Sequence, residues 1–507
     1  MDELTRLALA VLQSAFAGPS VPDWVRRRLD DGLGSLCLFG SNVESVEQLT
    51  SLNAELHARA PHLITATDEE GGDVTRLHMR RGSEQPGNAA LGSADDPRLT
   101  RSVAAAIGAE LRLAGVDLDL APVVDVNSNP DNPVIGVRSF GAEPQHVARH
   151  ASAYVHGLQE AGVGACVKHF PGHGDTAVDS HLGLPTVDAP IEVLQQRELV
   201  PFAASVAAQT VAVMTSHVVV PALDPRLPAT LSAPVLRLLR EGPSSGGLGF
   251  DGLVVSDALD MRGAWEGRGE PAAAVLALGA GCDLLCLGPD KDADHTDAVV
   301  RGILDAVRRG ELPAERLADA ASRVARAVER IRDLQAGAEI GGQPEAGRQA
   351  ARAALRRSGS TPPLKEATVL RFAGSTNVAV GVVPWGSVDS GEVLRPEVVV
   401  DVEPDVDLDS VLTRAAGRPV VALVRELHRH PAVGALVQAL ANRRPDVVVV
   451  ETGWPGEAPL PGAASLVTFG ASRANLAAAD LALADGWTTA DGRTTADGRT
   501  TADGRTT

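Results

Sequence analysis

Hydrophobic and polar positions fall into alternating blocks along this chain. Apolar runs of strand length stand at 9–15, 35–39, 63–67, 116–120, 163–167, 211–215, 253–256 and 283–287. The first reads almost equally well as a helix. Most are followed by a segment with apolar residues at helical spacing, such as 24–29 and 46–60. Runs apolar on both faces are strands buried on both faces, as in a parallel sheet covered by helices. Eight such units fit a (β/α)8 barrel, although an open, doubly wound sheet would show the same pattern. Helices are expected over 292–309 and 314–334, the second strongly amphipathic.

The character changes at 336–366, where Gly-Gly, Gln-Pro, Ser-Gly-Ser and Pro-Pro surround a short helical piece at 349–357, so this stretch reads as a linker. Strand-like runs resume at 368–372, 378–383, 398–402, 420–424, 447–450 and 466–469, with a helix opening at Pro431. The division predicted is a barrel over 1–335, the linker, a smaller α/β domain over 367–486, and a tail over 487–507. The tail repeats Thr-Thr-Ala-Asp-Gly-Arg and lacks the apolar content to offset ordering entropy, so disorder is expected there.

Polar residues gather at one end of the predicted barrel strands. Asp68-Glu69-Glu70-Gly71-Gly72-Asp73-Val74-Thr75-Arg76 follows the third; Pro122, Asp125 and Asn127, then Arg138-Ser139-Phe140, follow the fourth. Ser216 and His217 follow the sixth, and Asp257 the seventh. The fifth opens into Lys168-His169-Phe170-Pro171-Gly172-His173-Gly174-Asp175-Thr176-Ala177-Val178-Asp179-Ser180-His181, which holds three His, two Asp and one Lys. Such a cluster costs stability unless it performs chemistry. A metal site is disfavoured: His169 and His173 share a face only on a helix, and Pro171-Gly172 lies between them. A mouth of carboxylates, Arg and His without a phosphate-type glycine loop suits a neutral, polyhydroxylated ligand.

Lys-His-Phe-Pro-Gly-His-Gly-Asp-Thr at 168–176 with Asp-Ser-His at 179–181 resembles glycoside hydrolase family 3, in its β-N-acetylglucosaminidase branch. The resemblance selects the barrel and implies a smaller α/β sandwich domain, whose strand ends Thr452-Gly453-Trp454-Pro455 and 470–475 resemble. It implies a retaining mechanism with Asp257 as nucleophile and His181 as proton donor, oriented by Asp179. By the same resemblance Asp68, Arg76, Arg138, Lys168 and His169 bind the sugar, and His173 and Asp175 hold the loop. Asp260 reads as an ordinary surface acid. Asp73 stands where the family often has a basic residue, a departure expected to alter the pocket rim. The segment 184–199 carries no sign of whether the loop is held closed.

Composition narrows the partners. A net charge of −19 argues against nucleic acid and anionic membranes. Lys occurs only at positions 168, 291 and 365, so its presence in the central motif points to a chemical need. Cys37, Cys166, Cys282 and Cys286 lie in apolar runs with neither disulfide nor zinc spacing. The acidic start and the lack of a long apolar stretch lead to the expectation of a cytoplasmic protein that needs no metal or cofactor. Three functions remain: an exo-β-N-acetylglucosaminidase acting on peptidoglycan or chitin fragments, a phosphorylase of the same architecture, and a non-catalytic sugar-binding barrel. The first is preferred; the natural aglycone, the oligomeric state and the second domain's role are left open.

Overall fold

A computed structural model describes residues 2–177, 184–265, 267–338, 345–372, 380, 391–395, 399–403, 406–415 and 417–488. The chain forms two compact units. The first comprises Met1–Glu70, Thr100–Ile135 and Ser139–Gln343; the second takes Gly71–Leu99, Gly136–Arg138 and Pro344–Thr507.

In the first unit, eight parallel strands run in sequence order: β1 (Leu12–Ser14), β2 (Ser35–Leu38), β3 (Ile64–Thr67), β4 (Leu118–Asp119), β5 (Gly164–Phe170), β6 (Ala212–Thr215), β7 (Leu253–Val255) and β8 (Leu285–Cys286). β8 pairs with β1, and a Val255–Leu284 bridge joins the remaining edges. Every residue of these strands is buried, the polar ones such as Gln13, Thr65, Asp119 and Lys168 included, as expected of strands covered on both faces. The expected barrel is therefore present. The run at 9–15 divides: Glu3–Ala10 is a helix, capped by Asp2 accepting the Thr5 N–H, and the strand starts only at Leu12. β5 runs three residues past its predicted end and carries Lys168 and His169 within it.

Helices cover the sheet. Val46–Arg59 starts on a Ser45 cap, Pro144–Glu160 has Pro at its first turn, and Ala293–Arg308 starts on an Asp292 cap. Ala314–Gly337 sends Ala327, Val328 and Ile331 into a cluster with Cys37, Ile64, Leu118, Cys166, Met214 and Leu253. Asp283, just before β8, is buried against Arg240 and Arg316 and accepts the Val254 N–H, a structural knot at the opposite end of the strands from the polar loops.

The second unit is built on a seven-stranded sheet. Its strands are β9 (Arg356–Thr361), β10 (Thr368–Phe372), β11 (Val399–Val402), β12 (Val420–Val424), β13 (Val448–Glu451), β14 (Ala464–Val467) and β15 (Trp487–Thr488), in the order β11-β10-β12-β13-β14-β9-β15. β10 to β14 are parallel, and β9 pairs antiparallel with β14 and β15. Val421 and Leu423 face one core while Val420, Ala422 and Val424 face another, the period-two alternation of a sheet covered on both sides. The stretch read as linker holds a helix, Glu345–Ala354, and β9; the stretch read as tail begins with β15. The predicted strand at 378–383 lies outside the described residues except Val380.

Candidate active site

Charged groups of the first unit collect at the C-terminal ends of its strands, where barrels place their chemistry. The central one is Lys168. Its ammonium is 2% exposed and lies 2.6 Å from Asp68 Oδ1 and 2.7 Å from Glu70 Oε1. Burying an ammonium is tolerable only with such partners, and each of the two takes one of its three N–H donors. Asp119, at the end of β4, is fully buried and accepts the Glu69 N–H at 3.0 Å. Burial pushes its carboxyl well above the usual range.

A second knot forms around Asp125, which is wholly buried. It accepts the His173 N–H at 2.7 Å and lies 2.7 Å from His169 Nδ1. Burial raises this carboxyl, but His169 and His173 together, through charge and hydrogen bonds, outweigh burial, and it is held below its ordinary value. The contact fixes the orientation of the His169 ring. His173 is buried with Nδ1 2.8 Å from Thr176 Oγ1. Burial depresses its pKa to about 4, so it is neutral at neutral pH. Asn132 braces the same loop, donating to the His173 carbonyl and accepting the Val134 and Ile135 N–H groups. A Cβ on Gly174 would lie 1.9 Å from the Val126 carbonyl, so only glycine lets the loop lie on the segment after β4. Asp175 accepts from Ser128 Oγ at 2.9 Å and pairs with Arg197 at 2.7 Å.

Asp257 directly follows Ser256 at the end of β7 and is half-buried. Its Oδ1 accepts the Ala258 N–H at 2.8 Å, and its N–H donates to Thr215 Oγ1 at 3.3 Å. Its charge is close enough to His173 to favour protonation of that ring, though burial dominates. His217 donates through Nε2 to the Ala258 carbonyl at 2.9 Å. Asp260 is not a plain surface acid: it pairs at 2.8 Å with Lys291, whose side chain is only 9% exposed.

Arg76 and Arg138 belong to the second unit. Arg138 ends a short 3-10 turn, Gly136–Arg138, is buried, and accepts the Asn88 side-chain amide on its carbonyl at 2.7 Å; Arg76 is half-buried. Asp73 is not a rim residue. It is buried inside this unit, accepting from Arg425 at 2.6 Å and from the Ala471 N–H at 2.7 Å. Asp179 and His181 fall in 178–183, outside the described residues.

Sequence reasoning left Glu70, Asp119 and Asp125 out of the site. The signal was available for the last two: each acid is flanked by apolar residues at or after a strand end, Leu118-Asp119-Leu120 and Val124-Asp125-Val126.

The glycosyl hydrolase family 3 N terminal domain matches residues 22–327. Beta-hexosaminidase A of Pseudoalteromonas piscicida is 35% identical over 320 residues, which are 58% of this chain and 53% of that protein. The chain thus spans about half the length of that curated relative. A family 3 beta-N-acetylglucosaminidase from Paenibacillus sp. has a similar structure, with a TM-score of 0.84 at 30% identity over 96% of this chain and 97% of that one. NagZ from Neisseria gonorrhoeae, solved with N-trifluoroacetyl-D-glucosamine, superposes with a TM-score of 0.53 at 31% identity over 67% of this chain and 97% of that one.

Proposed function

The chain belongs to glycoside hydrolase family 3, whose N-terminal domain covers more than half of it, and from that premise we propose that it is a retaining exo-β-N-acetylglucosaminidase. The observation that carries this reading is the buried Lys168 held by Asp68 and Glu70, in the same barrel whose seventh strand is followed, two residues past its end, by Asp257. The ammonium pairs with both carboxylates, whose remaining lone pairs can accept hydrogen bonds from sugar hydroxyls.

Asp257 is the proposed nucleophile. Its carboxylate attacks the anomeric carbon and forms a glycosyl ester. The aglycone oxygen leaves with a proton from His181, whose imidazolium Asp179 favours. Neutral His181 then takes a proton from water as that water displaces Asp257. Asp68, Lys168 and His169 are proposed to contact the sugar, and the family resemblance adds Arg76 and Arg138. His173 and Asp175 are proposed to hold the loop, which their bonds to Thr176, Asp125, Ser128 and Arg197 support.

We assign the catalytic role to the barrel at 1–335 and a supporting role to the sandwich domain at 367–486. The proposed substrates are peptidoglycan or chitin fragments ending in β-linked N-acetylglucosamine. Four buried free cysteines support a reducing, cytoplasmic setting, where the enzyme would recycle peptidoglycan fragments. No helix among the described residues is long and apolar enough to cross a membrane.

The test is sugar release from an aryl N-acetyl-β-glucosaminide, with and without millimolar phosphate. Free N-acetylglucosamine at a rate independent of phosphate is expected. N-acetylglucosamine 1-phosphate as main product would make it a phosphorylase, and no release from any N-acetylglucosaminide would overturn the reading.

A further inference from the structure

The loop after β5 rests on a side chain to which the proposed chemistry gives no role. Gly172 has φ +133, and a Cβ there would lie 2.6 Å from Glu198 Oε2, so the loop backbone sits directly on this carboxyl. Glu198 is 1% exposed. Its Oε1 accepts from Arg197 Nε at 2.6 Å, while Oε2 is buried with no hydrogen-bond partner among the described residues. Arg197 continues through Nη2 to Asp175, 2.7 Å away, and Asp175 accepts from Ser128 Oγ. One chain of contacts therefore touches the loop at Gly172 and again at Asp175.

We propose that Glu198 is a positioning residue for the reaction: by packing against Gly172 and holding Arg197 on Asp175, it sets where the loop 171–177 lies. The claim that this matters to the reaction rests on the glycosidase reading; the claim about the loop does not.

The protonation state of Glu198 then controls the loop. A neutral carboxyl can leave Oε2 against a glycine at modest cost, whereas an anionic oxygen there must find a donor, either by leaving Gly172 or by admitting water. Burial raises this carboxyl to about 7. The charged groups that face it are Arg197, which favours the anion, and Asp125 and Asp175, which oppose it. Near neutral pH the residue is thus divided between its two forms, and the loop is held best on the acid side.

The experiment has two arms, run on the full chain. In the first, amide hydrogen exchange of peptides covering 171–177 is followed from about pH 6 to pH 9, corrected for intrinsic chemical exchange. Protection falls in the wild type as pH rises through about 7, and stays level in Glu198→Gln. In the second, kcat on an aryl N-acetyl-β-glucosaminide falls on the alkaline side more steeply than tenfold per pH unit in the wild type, because two protons are required. In Glu198→Gln the fall is tenfold per unit, with KM within twofold. Arg197→Gln covers the case of a misfolded Glu198→Gln: removing the facing cation moves the loss of protection to higher pH and lowers kcat. Level protection in the wild type, or the same fall in the wild type and the variants, overturns the proposal. Protection that responds as expected in a protein releasing no sugar leaves the positioning role standing and removes the glycosidase reading.

Discussion

Replacing Asp73 by alanine should destabilise the second unit far more than an acid near a glycine turn would suggest. Asp73 is 2% and Arg425 5% exposed at the side chain, and the two are 2.6 Å apart. Burial works against the Arg425 charge, Asp73 works for it, and the net effect raises the guanidinium pKa. Without Asp73, a buried cation loses its nearest counter-charge and the Ala471 N–H loses its acceptor. Breaking one side of such a pair costs about 3–5 kcal/mol, and at roughly 2–4 °C per kcal/mol for a unit of this size the melting temperature should fall by about 10 °C. Calorimetry of the wild type, Asp73→Ala and the double variant Asp73→Leu/Arg425→Met measures it. The double variant should recover most of the loss, since replacing both charges removes the uncompensated one. A drop below about 2 °C for the single change, or a double variant no more stable than the single, would refute the claim that the pair is a buried structural tie.

Asp257→Asn should lower kcat by more than about a thousandfold with little change in stability, and a 5-fluoro glycoside should label Asp257 alone; a label on Asp260, already paired with Lys291, would sink the assignment. His173 is pushed down to about 4 by burial, so the folded state resists a proton that the unfolded chain accepts near 6.5. Stability should be full above about pH 6.5 and decline by roughly 3 kcal/mol as pH falls to about 4, and His173→Gln should flatten that decline in pH-dependent urea titrations. Deleting 489–507 should leave the melting temperature unchanged, whereas deletion from Trp487 should lower it, because Trp487 and Thr488 pair with Thr361 and Ser360.

The barrel strands were legible because burial on both faces keeps apolar residues in the majority, even where Gln13, Thr65, Thr67 or Asp119 interrupts the run. β9 was not: Arg-Arg-Ser-Gly-Ser-Thr has no apolar residue, and nothing local marks it as a strand. It exists because the edge of β14 offers it backbone partners from Arg356 to Gly359. The strand-end rule drew attention to Asp68, Lys168, His169 and Asp257, all of which the structure puts at strand ends of one unit. Asp73 was misjudged because its partner lies 352 residues away, and a neighbouring motif carries no trace of so distant a contact. Glu198 is illegible for a different reason. Nothing in the segment 184–199 marks this acid as buried, and only the glycine loop folded against it reveals the burial.

The 352 residues between Asp73 and Arg425 also set a clock for synthesis. At about 5–20 residues per second, the ribosome needs roughly 20–70 seconds to deliver Arg425 after Asp73 has emerged. Ala471, which donates the other hydrogen bond to Asp73, comes later still. Throughout that interval the segment Gly71–Leu99 waits, with an acid meant for the interior and no counter-charge to receive it. A chain released at 335 would hold that segment indefinitely without Arg425 and Ala471. The nascent protein therefore cannot finish its assembly from front to back: an early stretch stays provisional until nearly the last strand of the sheet has been made.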